Sequence, residues 1–450
     1  MKPTLASVVV ALGIGAAPAA AQTLGLAEAL GRADRSAYPN RMAAGEARAR
    51  GGQATAALAA FLPTVRVENL WSRTTDPLGA FGFTLRQRAV SAASFAPDRL
   101  NSPDPISDFG SDLVLEQPLF NPDGLFGRRA AVRARAAGDA SRDWTRITTR
   151  TEVVRAYFGA VLAAAQVAAL DGARRAAEAH VRQAESLVRN GMATRSDALL
   201  ASVRAGEISA RLLSARAETS VAARRLAVAM GTPGDTALLL PPELPPADRI
   251  RGVLAGAAGE TPPGEPRADV RSARLALEAA DADVQRAGAA MLPRLNSFGR
   301  LHWSSGSTPY GGQNAWTVGV ALSWTPFGGG AELGARQAAA GRRDAAAAAA
   351  DAAAARAELE TAQAGAQLSS ALARLDIAER AVEQGAEAHR IVARKYEGGT
   401  GTVVELFDAV AAETDSRLAL AQARFDAIAA GAALRQALGL DVGGLEDLER

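Results

Sequence analysis

The residues best placed to do chemistry are acids that follow two glycine breaks. Gly191-x-x-Thr194-x-x-Asp197 and Gly399-x-x-Thr402-x-x-Glu405 repeat one pattern. Threonine followed three residues later by Asp or Glu is a capping box. Hydroxyl and carboxylate each take an otherwise unpaired N–H at a helix start. A glycine just upstream ends the preceding helix. The spacing predicts a break between helices, with Asp197 and Glu405 as local caps, whereas Asp408 has no capping role. Covalent and metal chemistry find little support. The chain has no cysteine, which excludes disulfides, thiolate zinc sites and cysteine nucleophiles. His180, His302 and His389 are far apart in sequence, so no histidine cluster is expected. His180 and His389 read as helix-surface residues. There is no G-x-x-x-x-G-K-[ST] loop and no H-E-x-x-H pair. Gly328-Gly329-Gly330 follows a strand, has no dinucleotide fingerprint after it, and reads as a flexible turn. No catalytic residue, cofactor or metal is expected.

The elements that carry these breaks occur twice. Gly191 and Gly399, Thr194 and Thr402, Asp197 and Glu405, Ala201 and Ala409, and Gly231 and Gly439 are each 208 residues apart. Pro118 in QPLF and Pro326 in WTPF keep the same offset, whereas Leu62-Pro63 and Leu292-Pro293 lie 230 apart. The chain is thus one unit written twice, with 22 extra residues between Pro63 and Pro118 of the first copy. Each unit reads helix, strand, loop, strand, long helix, break, helix. The first repeat covers 22–235, with strands at about 64–72 and 111–117 around a loop at 73–110. The second covers 266–441, with strands at about 294–303 and 316–324 around a loop at 305–315. A Pro/Gly-rich linker is expected at 236–265 and a tail at 442–450. Proline is absent from Leu125 to Arg189, enough for a helix of about 100 Å. The second long helix (about 331–396) carries Ala345–Ala350 and Ala352–Ala355, thin enough for close helix packing.

The clearest strand alternates Trp316, Val318, Val320, Leu322 and Trp324 with small and polar residues. Alternation fits a half-buried soluble strand as well as a membrane strand. Tryptophan at both ends of an apolar face is what a lipid-facing barrel strand with aromatic girdles shows. The N-terminus favours the membrane reading. Met1-Lys2, an apolar run from Leu5 to Ile14 and Ala19-Ala20-Ala21 have the layout of a signal peptide over 1–21. No later uninterrupted apolar run approaches the roughly 20 residues of a spanning helix. His302 is then expected at a strand end near the membrane interface. With 50 basic and 48 acidic residues, the balance gives no bulk attraction to nucleic acid.

Four strands cannot close a barrel, and an open sheet cannot sit in lipid with unpaired edges. Three copies supply twelve strands, an even number such barrels allow. The fold expected is mainly α with a transmembrane β-barrel portion. It is a homotrimer whose 12-stranded barrel continues into an α-helical coiled-coil barrel outside the membrane.

In the doubled unit, the Leu-Pro helix ends, QPLF and WTPF, and the two G-x-x-T-x-x-[DE] breaks, the chain resembles the outer-membrane efflux protein family, the TolC-like channels. The resemblance covers nearly all of the mature chain. It implies a trimeric export tunnel in the outer membrane of a Gram-negative-type bacterium with a large periplasmic extension. It also implies work with a periplasmic adaptor and an inner-membrane pump of RND or ABC type, in a tripartite efflux or type I secretion system. The tunnel does no chemistry of its own. In the family, acidic rings and tyrosine-to-acid and arginine-to-acid contacts close the periplasmic tip. Glu405 and Asp408 match the acidic constriction, Tyr396 the tyrosine, and Asp197 its partner. The family arginine falls at Gly401, leaving Arg195 or Lys395 as candidate substitutes. A periplasmic coiled-coil adaptor would also explain secretion and long helices, but not two pairs of strands with a Trp-bounded apolar face.

Overall fold

A computed structural model describes residues 23–235, 238–258 and 264–449, so the expected signal peptide lies outside the described residues. The first repeat runs α1 (Leu26–Ser36), α2 (Tyr38–Ala56), β1 (Thr64–Thr74), α3 (Pro77–Arg86), α4 (Pro97–Asn101), β2 (Ile106–Phe120), α5 (Pro122–Arg189) and α6 (Arg195–Ala229). Then come α7 (Ala247–Ala258), α8 (Ala268–Ala289), β3 (Arg294–Ser305), β4 (Gln313–Ser323), α9 (Ala331–Glu397) and α10 (Val403–Ala437). The duplication is visible in lengths. The long helices have 68 and 67 residues, and the helices after the breaks have 35 each.

The chain forms two compact units. One contains residues 42–144 and 266–357 and holds the sheet. Its strands are ordered β1-β2-β3-β4, all neighbours antiparallel. Register assigns the faces, because directly paired residues share a side. Val67, Leu113, Leu301 and Trp316 form one row across an apolar face. Glu68, Asp112, His302 and Ala315 form a row across the opposite face. His302 therefore sits on the polar face, where its Nδ1 lies 3.0 Å from Asp112 Oδ1. The apolar face is uncovered: Trp316 is 74% exposed, and Val65, Val67, Trp71, Val318, Val320 and Leu322 are exposed as well.

The strands differ from the expected spans for identifiable reasons. β2 extends to Ile106–Phe120 because its polar start finds partners: Ser304 Oγ donates to Asp108 Oδ1 at 2.5 Å, and Gln87 Nε2 donates to the same oxygen at 2.9 Å. Pro118 is accommodated where the pairing shifts register. β4 stops at Ser323, short of Pro326, which has no N–H to offer a ladder. Trp324 lies beyond the strand and donates its indole N–H to Met291 O. The loop at 73–110 holds two short helices. Asp76 caps α3 by accepting from Gly79 N at 2.7 Å, with Pro77 in the first turn.

The other unit draws its described residues from 23–41, 145–235, 238–258, 264–265 and 358–449. Its core gathers Val153, Val154, Tyr157, Phe158 and Val161 of α5 with Leu226, Leu375 and Ile428. Among the described residues α5 is the one helix long and apolar enough to cross a bilayer, and its apolar stretch is half buried within the protein. The expected linker and tail both contribute residues to this core. The 236–265 linker contains α7, whose Ile250 and Leu254 are fully buried. Leu254 occupies space that only a glycine at 431 leaves open, since a Cβ there would stand 2.2 Å from Leu254 Cδ2. The 442–450 tail forms a 3₁₀ turn, Val442–Leu448, that buries Val442, Leu445 and Leu448 at the three-residue spacing of that helix. Glu449 then accepts from Leu26 N at 2.7 Å and from the Tyr157 hydroxyl.

Gly191, Gly231, Gly399 and Gly439 all have φ between 72° and 76°, the left-handed region where a side chain is strained. They differ in surroundings. A Cβ on Gly231 would lie 2.1 Å from Ser36 O, whereas one on Gly191 would meet nothing within 4 Å. Thermal melting in detergent should show Gly191→Ala costing about 1 kcal/mol from strain alone. Gly231→Ala should cost clearly more; equal losses would remove the close approach from the explanation.

Candidate functional site

The two breaks are built alike, from the backbone outward. At the first, Gly191 N donates to Val188 O at 3.0 Å and Met192 N to Leu187 O at 2.8 Å. At the second, Gly399 N donates to Tyr396 O at 3.1 Å and Thr400 N to Lys395 O at 3.0 Å. This paired pattern is the Schellman ending, and it satisfies carbonyls that the helix end would otherwise leave unpaired. The next helices start with complete capping boxes. Thr194 N donates to Asp197 Oδ2 at 3.0 Å and Asp197 N to Thr194 Oγ1 at 3.3 Å. Thr402 N donates to Glu405 Oε2 at 2.9 Å and Glu405 N to Thr402 Oγ1 at 3.2 Å.

Behind the breaks lies a small separate core of Ala177, Ala184, Ala201, Tyr396, Val403, Leu406 and Phe407. It fixes which side chains of α10 face outward. Leu406 and Phe407 point in, leaving Glu405 and Asp408 exposed on the other side of the same turn. Asp408 makes no hydrogen bond or ion pair among the described residues. Glu405 is held below the usual carboxylate range by the Thr402 N–H, then by the Thr402 hydroxyl and the positive charge of Lys395. Lys395 thus acts on Glu405 through its field, without a close ion pair. Arg195 is exposed at the start of α6.

Tyr396 is only 4% exposed, and its hydroxyl has no hydrogen-bond partner. Burial raises its pKa, and the nearby charge of Asp197 raises it further. The structure therefore brings Tyr396 and Asp197 within electrostatic reach without closing a hydrogen bond between them. An orphan buried hydroxyl is costly, so this group is poised to take an acceptor.

His180 and His389 depart from expectation. They are not free surface residues: their Nε2 atoms lie 3.2 Å apart, and His389 Nδ1 lies 2.5 Å from Glu413 Oε2. Sequence reasoning had one signal for this contact. The two histidines are 209 residues apart, within one residue of the repeat offset.

Comparison with known proteins agrees with this architecture. The model of the family described as outer membrane efflux protein matches residues 41–232 and 265–440. Among curated proteins, the alkaline protease secretion protein AprF of Pseudomonas aeruginosa is 27% identical over 244 residues, covering 51% of this chain. That match spans about half of the relative's length (48%). Among solved structures, the outer membrane protein VceC of Vibrio cholerae superposes with a TM-score of 0.75 at 22% identity, covering 92% of this chain and 96% of that one. The CmeC outer membrane channel of Campylobacter jejuni gives 0.75 at 17% identity, covering 92% and 85%. The open MtrE outer membrane channel of Neisseria gonorrhoeae gives 0.70 at 20% identity, covering 92% and 89%. None of these findings supports the adaptor alternative. With the duplicated helix-strand-strand-helix unit matched over both copies, the chain belongs to the outer membrane efflux protein family.

Proposed function

We propose that three copies of this outer-membrane protein close into one export tunnel. It is a passive conduit from the periplasm or a pump to the exterior, with a gate at the helix breaks. The observation that carries this reading is the sheet. It has four strands, two unpaired edges, β1 and β4, and an uncovered apolar face ending in tryptophans. Unpaired edges are intolerable in lipid. Pairing β4 of one copy with β1 of the next satisfies every edge when three copies complete a ring, and the apolar face then meets lipid. Trp316, Val318, Val320 and Leu322 are the lipid-facing residues of β4, with Trp324 just past its end.

At the gate, exposed Glu405 and Asp408 from three copies form an acidic ring, which favours cations. Tyr396 and Asp197 form the latch, closed when the orphan hydroxyl finds the carboxylate. Gly401 stands where the family carries an arginine, and Lys395 supplies positive charge near Glu405 in its place. A periplasmic adaptor and an inner-membrane pump of RND or ABC type complete the machine, and transport energy comes from the pump. The protein has no enzymatic role in this scheme. The name of the AprF relative, a protease secretion protein, makes protein cargo one reading, and small-molecule efflux is the other.

The mass and symmetry of the mature protein extracted from outer membranes in mild detergent test the tunnel. A three-fold particle with a detergent belt is expected; a detergent-independent monomer would sink the barrel. For the gate, replacing both Glu405 and Asp408 with Ala should weaken cation preference in single-channel recordings. An unchanged reversal potential in a salt gradient would remove these acids from the constriction.

A further inference from the structure

The His180–His389 contact carries an inference independent of the tunnel. The two rings come from α5 and α9, and Glu413 of α10 stands behind one of them. Each ring's Nδ1 faces an acceptor: Glu413 Oε2 at 2.5 Å for His389, and Gln183 Oε1 at 3.4 Å for His180. A neutral imidazole carries one N–H. If both rings place it on Nδ1, the two Nε2 atoms lie 3.2 Å apart with no hydrogen between them. Two lone pairs at that distance repel unless something positive lies between them.

The spacing suits a metal. Two imidazole nitrogens at about 2.0–2.1 Å from a tetrahedral zinc ion stand about 3.3 Å apart. The surroundings suit one too. A ligating histidine that donates its other N–H to a carboxylate is the usual outer-shell arrangement, fixing the tautomer and raising ligand basicity. Glu413 does this for His389 and is itself held by Arg417, whose Nη2 lies 2.5 Å from Glu413 Oε1. Of the charged groups around the pair, Glu413 and Glu397 favour a cation, and Arg417 opposes it. His389 and Glu413 retain some exposure, 18% and 15% of their side chains, so an ion and water can enter. Among the described residues no group of three or more metal-binding side chains assembles, so an ion held by the two rings would take its remaining ligands from solvent.

We infer that His180 and His389 form a two-histidine site for a divalent transition-metal ion such as Zn²⁺ or Cu²⁺, with Glu413 as its outer-shell support. A bound ion would tie α5 to α9 beside the small core behind the helix breaks, since His180 also packs edge-on against Phe407.

The test is calorimetric titration of ZnCl₂ and CuCl₂ into the untagged full chain in detergent at pH 7.5. Saturable binding of one ion per chain is expected. His389→Gln should abolish it, and Glu413→Gln should weaken it about 10- to 100-fold. Bound Cu²⁺ should show coupling to imidazole nitrogens by electron paramagnetic resonance. If His389→Gln fails to fold by circular dichroism, His180→Gln carries the test, since that ring has only the long contact to Gln183 behind it. No saturable binding of either ion, or binding unchanged in the histidine variants, would overturn the site. So would a melting temperature that responds to pH but to neither ion, which would assign the gap to a shared proton.

Discussion

Every backbone N–H and C=O must find a partner, and this requirement governs the molecule at both its helix breaks and its sheet. At the breaks the chain meets it alone. Left-handed glycines return N–H groups to the last carbonyls, and the capping boxes take the first N–H groups of the next helix. At the sheet the chain does not meet it alone. Strands β1 and β4 each have one paired side and one open side. The same rule that lets the helix ends stand independently leaves the sheet with two open edges, which the proposed ring of three copies pairs.

Duplication then spreads each solution over two places. Left-handed Gly191 and Gly231 recur as Gly399 and Gly439, the capping boxes recur at the same offset, and the long helices of 68 and 67 residues recur within one residue of it. The copies are not equal in burden. α9 is poor in large side chains and rich in alanine, whereas α5 supplies Tyr157 and Phe158 to the core. The asymmetry also appears at the breaks. The second repeat contributes the buried Tyr396 and Phe407, and the first contributes the small residues Ala177, Ala184 and Ala201 beneath them.

Local spacing made much of this legible. Gly-x-x-Thr-x-x-acid requires no knowledge of tertiary structure, because each partner is within a few residues, and alternation marked the apolar face of β4. What spacing missed was long-range or masked. Nothing near His180 announces His389, apart from the repeat offset. Prolines and glycines around α7 hid a helix whose Ile250 and Leu254 are four residues apart on one buried side. The polar start of β2 lacks an apolar signal, because Asp108 is satisfied by Ser304 and Gln87 rather than by burial of hydrocarbon. At the candidate gate, the exposure of Glu405 and Asp408 follows from the inward turn of Leu406 and Phe407, a pattern sequence can suggest. That the Tyr396 hydroxyl is left without a partner could come only from three-dimensional packing.

The Glu449 contacts have a kinetic consequence. Its carboxylate takes the Leu26 N–H at the start of α1 and the hydroxyl of Tyr157, so residues 423 positions apart complete one another. A chain emerging N-terminus first carries α1 with an unsatisfied first turn until residue 449 arrives. Assembly of this unit cannot proceed as a simple procession along the chain. It must wait for closure of a very long loop, the kind of non-local step that slows folding.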